Sequence, residues 1–229
     1  MSRFGPVSPI FRGPFVCLVA GLACSSGESK VVDQYFNALR AGDQNTLTSF
    51  AVVAFDQKVD SWKIVSEGPE VKAPATLPDL VKKAKDAQAE LDRNTKEARA
   101  WANDIKVYPD LDKVRQAQAK GDKIPPALQP VAAKWDTLQA EDKRLKKAVA
   151  DAKGAVEREK RNVALSIGQV EDVESLTGET VTRDIDVDLT IGGTPKPYTM
   201  TMRRYDLKGG SGGGRMMSRW IVQSITPKA

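Results

Sequence analysis

At 229 residues the chain is long enough for one substantial core with a further element attached. Hydrophobic residues at 41 % and charged residues at 28 % are the proportions of a folding chain, which excludes global disorder. The net charge of +5 comes from Lys and Arg interspersed with Asp and Glu, with neither a basic stripe nor interleaved aromatics, so no nucleic-acid partner is expected.

The chain has no histidine and two cysteines, Cys17 and Cys24. Arg3 and Arg12 precede the apolar run Phe15 to Ala20, and small residues follow at Gly21 and Ala23. This order of charged, apolar and small residues is that of an export signal over residues 1–23, and a run of about nine apolar residues is too short to span a bilayer. Losing it leaves a net charge of about +3 and no cysteine beyond Cys24. With Cys24 directly after the small residues, the segment resembles a bacterial lipoprotein signal peptide. The resemblance implies lipidation of Cys24, a membrane partner through that lipid and, from the serine that follows, the outer membrane facing the periplasm in a diderm host. Gly21-Leu22-Ala23 departs from that family's usual order and also suits ordinary cleavage, so a secreted or periplasmic soluble form stays open. Residues 24–29 read as a flexible tether.

Val31, Val32, Tyr35, Phe36 and Leu39 repeat at helical spacing up to Gly42, and Asp43 starts a second helix with Leu47, Phe50 and Ala51 on its apolar face. Val59 to Val65 alternates as a strand, with Trp62 and Ile64 on one face, and Glu67 to Thr76 reads as an extended linker.

Thr76 and Asp79 form a candidate capping box around Pro78. Ala84, Ala87, Leu91, Asn94, Ala98, Trp101, Ile105 and Tyr108 then follow in steps of three and four. Pro109 interrupts the seam, and Gly121 with Ile124-Pro125-Pro126 turns the chain. A second seam runs through Val131, Trp135, Leu138, Asp142, Leu145, Val149, Ala152 and Val156 to Val163. Two such helices predict an antiparallel αα-hairpin over residues 76–165, with Ile105 near Trp135 and Leu91 near Val149. Its Lys and Glu read mainly as a solvated face.

Val181 to Leu189 alternates Ile185, Val187 and Leu189 against Asp184, Asp186 and Asp188. Gly192-Gly193 turns into Tyr198 to Leu207, and a glycine-rich loop leads into Met216 to Ile225, which together predict a three-stranded antiparallel meander. "VVDQYFNALRAGDQNTLTSF" (Val31 to Phe50) resembles the opening helices of NTF2-like, SnoaL-type domains, and "SRWIVQSI" (Ser218 to Ile225) resembles their closing strand. The resemblance implies an α+β cone, a curved antiparallel sheet wrapped by helices, built from 30–70 and 166–229 and interrupted by the hairpin.

Enzymes of that family move protons with Asp, His or Tyr; without histidine, such work falls to carboxylates or tyrosines. Asp184, Asp186 and Asp188 are a possible carboxylate cluster that could take Ca²⁺ if loop oxygens joined, or could pair with arginines on a wet face. Trp62, Tyr205 and Trp220 are candidate pocket residues or core. The glycine-rich loop lacks the Gly-Lys-Ser/Thr of a phosphate cradle. No catalytic residue, metal site or cofactor is assigned. The expected function is a cell-envelope lipoprotein that binds or scaffolds without catalysis, with an envelope partner or self-association through the hairpin. The alternatives are an exported NTF2-like enzyme using pocket carboxylates, and a structural spacer.

Overall fold

The computed structural model describes residues 27–209, 214, 216 and 218–228. The export segment 1–23 and Cys24 lie outside the described residues. Helix α1 (Gly27–Ala41) buries Val32, Tyr35 and Phe36 along one stripe, as their spacing demands. It starts earlier than expected, so the tether 24–29 yields its last three residues to the helix, where Glu28 is buried against Arg183. Helix α2 (Gln44–Phe50) follows, with the Asp43 side chain accepting from the Thr46 amide at 3.0 Å as an N-cap.

Among the described residues five strands form one antiparallel sheet: β1 (Ser61–Glu67), β2 (Val71–Pro74), β3 (Thr177–Ile191), β4 (Thr194–Lys208) and β5 (Ile221–Pro227). The order is β1-β3-β4-β5, with β2 beside β1 on the same edge of β3. Residues 61–74 and 177–227 thus share one sheet although about a hundred residues separate them. β3 and β4 make a long hairpin through Gly192 and Gly193, whose positive φ of 59° and 79° suit a tight turn. β2 corrects the linker expectation: Val71 to Pro74 pairs with Glu179 to Thr182, and its proline fits because the strand has β3 on one side only. β5 begins at Ile221, later than Met216, and Trp220 lies just ahead of it.

β4 changes which face it buries. Tyr198, Met200 and Met202 pack with Val181, Ile185, Val187 and Leu189 against α1 and α2. Tyr205 and Leu207, of the opposite parity, pack with Val163, Leu176 and Ile221 in a second cluster on the other face. The sheet therefore carries a core on each face, one under the N-terminal helices and one under the end of a long helix.

That helix is α5 (Gln129–Ile167), about 58 Å long at 1.5 Å per residue. It runs beside α3 (Leu77–Ala102): Thr76 meets Glu159, Gln88 meets Lys153 and Glu90 meets Arg144, partners whose numbers run in opposite directions. Thr76 does not cap α3 as expected, because its hydroxyl donates to Glu159 at 2.8 Å instead. The first seam also ends sooner than its spacing suggests. After Ala102 the chain breaks, the Asp104 carboxylate accepts from the Lys106 amide at 2.8 Å, and Pro109 starts a separate helix, α4 (Tyr108–Lys120). Ile105 is 87 % exposed and Tyr108 54 % exposed, so neither belongs to a seam. Ile105 does not pack on Trp135; Arg115 of α4 stacks there, 4.3 Å from the ring centroid. Leu111 and Val114 bury α4 in place of the expected seam residues.

Candidate functional site

The steps of three and four that build α5's apolar stripe also place polar residues on it. Val156, Glu159, Val163 and Ser166 share one face and are all buried, the last three against the sheet. Glu159, 6 % exposed, is the focus. Its Oε1 accepts from the Thr76 hydroxyl at 2.8 Å and the Tyr205 hydroxyl at 3.0 Å. Its Oε2 accepts from Asn162 Nδ2 at 3.3 Å and lies 3.6 Å from Arg203 Nη1. Burial, and then the neighbouring Glu159 carboxylate, push the Tyr205 phenol well above its ordinary value and hold it as a donor. Ser166 completes the joint: its hydroxyl donates to the Arg219 carbonyl at 2.8 Å and accepts from the Tyr205 amide at 3.3 Å. Glu159 was not singled out in sequence, although the seam's own spacing, continued from Val156, lands on it.

Beside this joint lies a cleft of about 520 Å³ between α5 and the β4–β5 side of the sheet. Ala155, Arg158, Glu159, Arg161 and Asn162 form its helical wall, and Val52, Arg203 and Gln223 the other. The β4–β5 register shifts between Thr201 and Met202, so Gln223 is an extra residue on β5. The Oε1 atom of Gln223 and the Nε of Arg203 are buried without a hydrogen-bond partner.

A second ionic cluster sits on the opposite face. Arg183 lies 2.8 Å from Glu28, 3.6 Å from Glu67 and 3.5 Å from Glu70, and Arg204 lies 3.2 Å from Glu70 with its guanidinium 4.7 Å from the Trp220 ring. It clamps the start of α1 to the sheet.

The aromatic residues expected as pocket lining are distributed over both cores. Trp62 stacks on Phe36 with centroids 5.4 Å apart and donates to Asp33 at 2.9 Å. Trp220 packs in the same cluster as Phe36, while Tyr205 is buried in the other. Asp184, Asp186 and Asp188 do share a strand face, but they do not converge. Asp184 accepts from Thr201 at 2.7 Å, and Asp186 accepts from Lys228 at 2.6 Å, Ser66 at 2.8 Å and Thr199 at 3.0 Å. These bonds, Lys228's foremost, lower the Asp186 carboxyl to about 2. Among the described residues no group of three or more His, Cys, Asp or Glu is placed to hold a metal ion, and no helix is long and apolar enough to cross a membrane. Cys24, the expected lipidation site, is outside the described residues.

Comparison of the chain with family models, curated proteins and solved structures finds no match.

Proposed function

We propose that this protein is a cell-envelope lipoprotein, anchored through Cys24, that acts as a non-catalytic binding or scaffolding module. The observation that carries this reading is the arm of α3, α4 and α5, whose elbow holds Ile105 and Tyr108 out in solvent. Ile105 and Tyr108 stand three residues apart at the helix break, which leaves two large apolar side chains available to a partner. The body beneath the arm is read as NTF2-like, supported by two N-terminal helices against one face of an antiparallel sheet whose last strand closes the chain. The clamp of Arg183 on Glu28 bears on anchoring as well. Cys24 precedes Gly27 by three residues, so a lipid there holds the body within about 10 Å of the bilayer surface.

The test has two arms. Radiolabelled palmitate should enter the wild type and not Cys24→Ala; equal labelling of both removes the anchor. A photo-cross-linker at position 105 in intact cells should give adducts that one at position 82 on α3 does not. Equal or absent adducts remove the arm as a docking element, and adducts only with a second copy turn the reading into the self-associating spacer.

One observation favours an exported enzyme working through carboxylates: Glu159 is desolvated and lies on the wall of a cleft. Its four side-chain partners weigh against that reading, since a carboxylate engaged by Thr76, Tyr205, Asn162 and Arg203 is held for position.

A further inference from the structure

We infer that the cleft between α5 and β5 is a binding site for a small organic anion, one carrying a carboxylate or phosphate group on a compact apolar body. The site is distinct from the elbow and stands whether or not the arm has a partner.

Charge is the first ground. Arg158, Arg161 and Arg203 line the cleft, and Glu159 is its acidic member. Glu159 is matched to Arg203 and held by three further donors, so its charge is already compensated. Arg158 and Arg161 are not compensated: among the described residues neither guanidinium has a hydrogen bond or an ion pair. They stand three apart on α5, neighbours on one helix face, where like charges repel unless an anion lies between them. Several other cations on the same helix are paired, Arg144 with Glu141, Lys147 with Asp151 and Lys160 with Glu174.

Unused hydrogen-bonding capacity is the second ground. Buried polar atoms are nearly always satisfied, yet the Nε of Arg203 and the side-chain oxygen of Gln223 are not; both residues line this cleft, and a small shift of either side chain brings the covered atom to a ligand there. Gln223 is there because of the β5 bulge, a device that re-aims a side chain at the expense of the ladder. Guanidinium forks match carboxylate and phosphate oxygens in pairs, and an amide can accept from a hydroxyl on the same molecule. Val52 and Ala155 supply the apolar contact, and about 520 Å³ is the scale of a metabolite-sized ligand.

The experiment is calorimetric titration of the full chain at low ionic strength with citrate, glycerol 3-phosphate and inorganic phosphate. Parallel sedimentation with phosphatidylglycerol and phosphatidylcholine vesicles separates a free anion from a lipid headgroup as the source. Saturable binding of one soluble probe, or of phosphatidylglycerol vesicles alone, is expected to weaken at least tenfold in Arg158→Ala/Arg161→Ala. Both residues are exposed and unpaired, so that variant keeps its fold. The side-chain amide resonances of Asn162 and Gln223 should shift during the titration. Lys82→Ala/Lys83→Ala on α3 removes the same charge elsewhere and should bind as the wild type does. Absence of saturable binding with every probe, an equal loss in the lysine variant, or unmoved Asn162 and Gln223 amides would each overturn the proposal.

Discussion

The Tyr205 hydroxyl donates to Glu159 at 3.0 Å, joining a strand of the sheet to the long helix across 46 residues of sequence. With Thr76 at the head of α3 on the same carboxylate oxygen, one buried acid fastens three elements. Removing one partner of such a group leaves the others unsatisfied, which costs more than the bond itself contributes. Tyr205→Phe should therefore cost about 1–2 kcal/mol and Glu159→Ala about 3 kcal/mol in urea unfolding, because the latter strands Arg203 and the tyrosine together. A double-mutant cycle between them should show coupling of about 1 kcal/mol.

Glu28 is 6 % exposed and stands 2.8 Å from Arg183 in the clamp at the start of α1. Arg183→Ala should destabilise by about 3 kcal/mol, since it leaves a buried carboxylate beside Glu67 and Glu70 without its main counter-charge. Amide exchange should show the loss locally as well, with the first turn of α1 losing protection before the sheet does.

Asp186 titrates at about 2 against an ordinary 3.8, chiefly because Lys228 bonds to its carboxylate. The sign follows from linkage. A depressed carboxyl adds stability that is present above its unfolded value and disappears as the pH falls through about 2. Lys228→Ala should raise the Asp186 carboxyl toward its ordinary value in a carbon-detected NMR titration, with Ser66 and Thr199 keeping it somewhat below. The same variant should narrow the stability difference between pH 7 and pH 2.

Gly178 sits in β3 at φ 147°, where a Cβ would collide with the backbone oxygen of Asp206 on β4. Neither partner is the movable end of a side chain, so the strands must separate. Gly178→Ala should cost roughly 2–3 kcal/mol, read as a lower urea midpoint at unchanged slope.

Local periodicity settles much of this molecule. The steps of three and four in Val32, Tyr35, Phe36 and Leu39 permit only one face to be buried, and the alternation of Ile185, Val187 and Leu189 with three aspartates permits only a half-buried strand. Those patterns are physical constraints on each segment alone, and the α+β class, α1, α2, the long helices and the β3–β4 hairpin follow from them. The interruption at Pro109 was legible too, because proline is tolerated in the first turn of a helix and breaks one beyond it. What followed it was not: α4 has a weak apolar stripe, and Leu111 and Val114 count as core only once α5 lies beside them.

Tertiary structure decided the rest. β2 carries a proline and four exposed residues, so nothing local marks it, and it exists because β3 extends past the end of β1 and offers unpaired backbone. Glu159 reads as a surface glutamate until Thr76 ahead of α3 and Arg203 and Tyr205 of β4 arrive from two distant segments. Gln223 joins the cleft beside it as the extra residue of a register shift on β5, which no residue of β5 announces. A periodic pattern says which side of an element avoids water, whereas a site depends on which elements meet, and that is settled by packing across the whole chain.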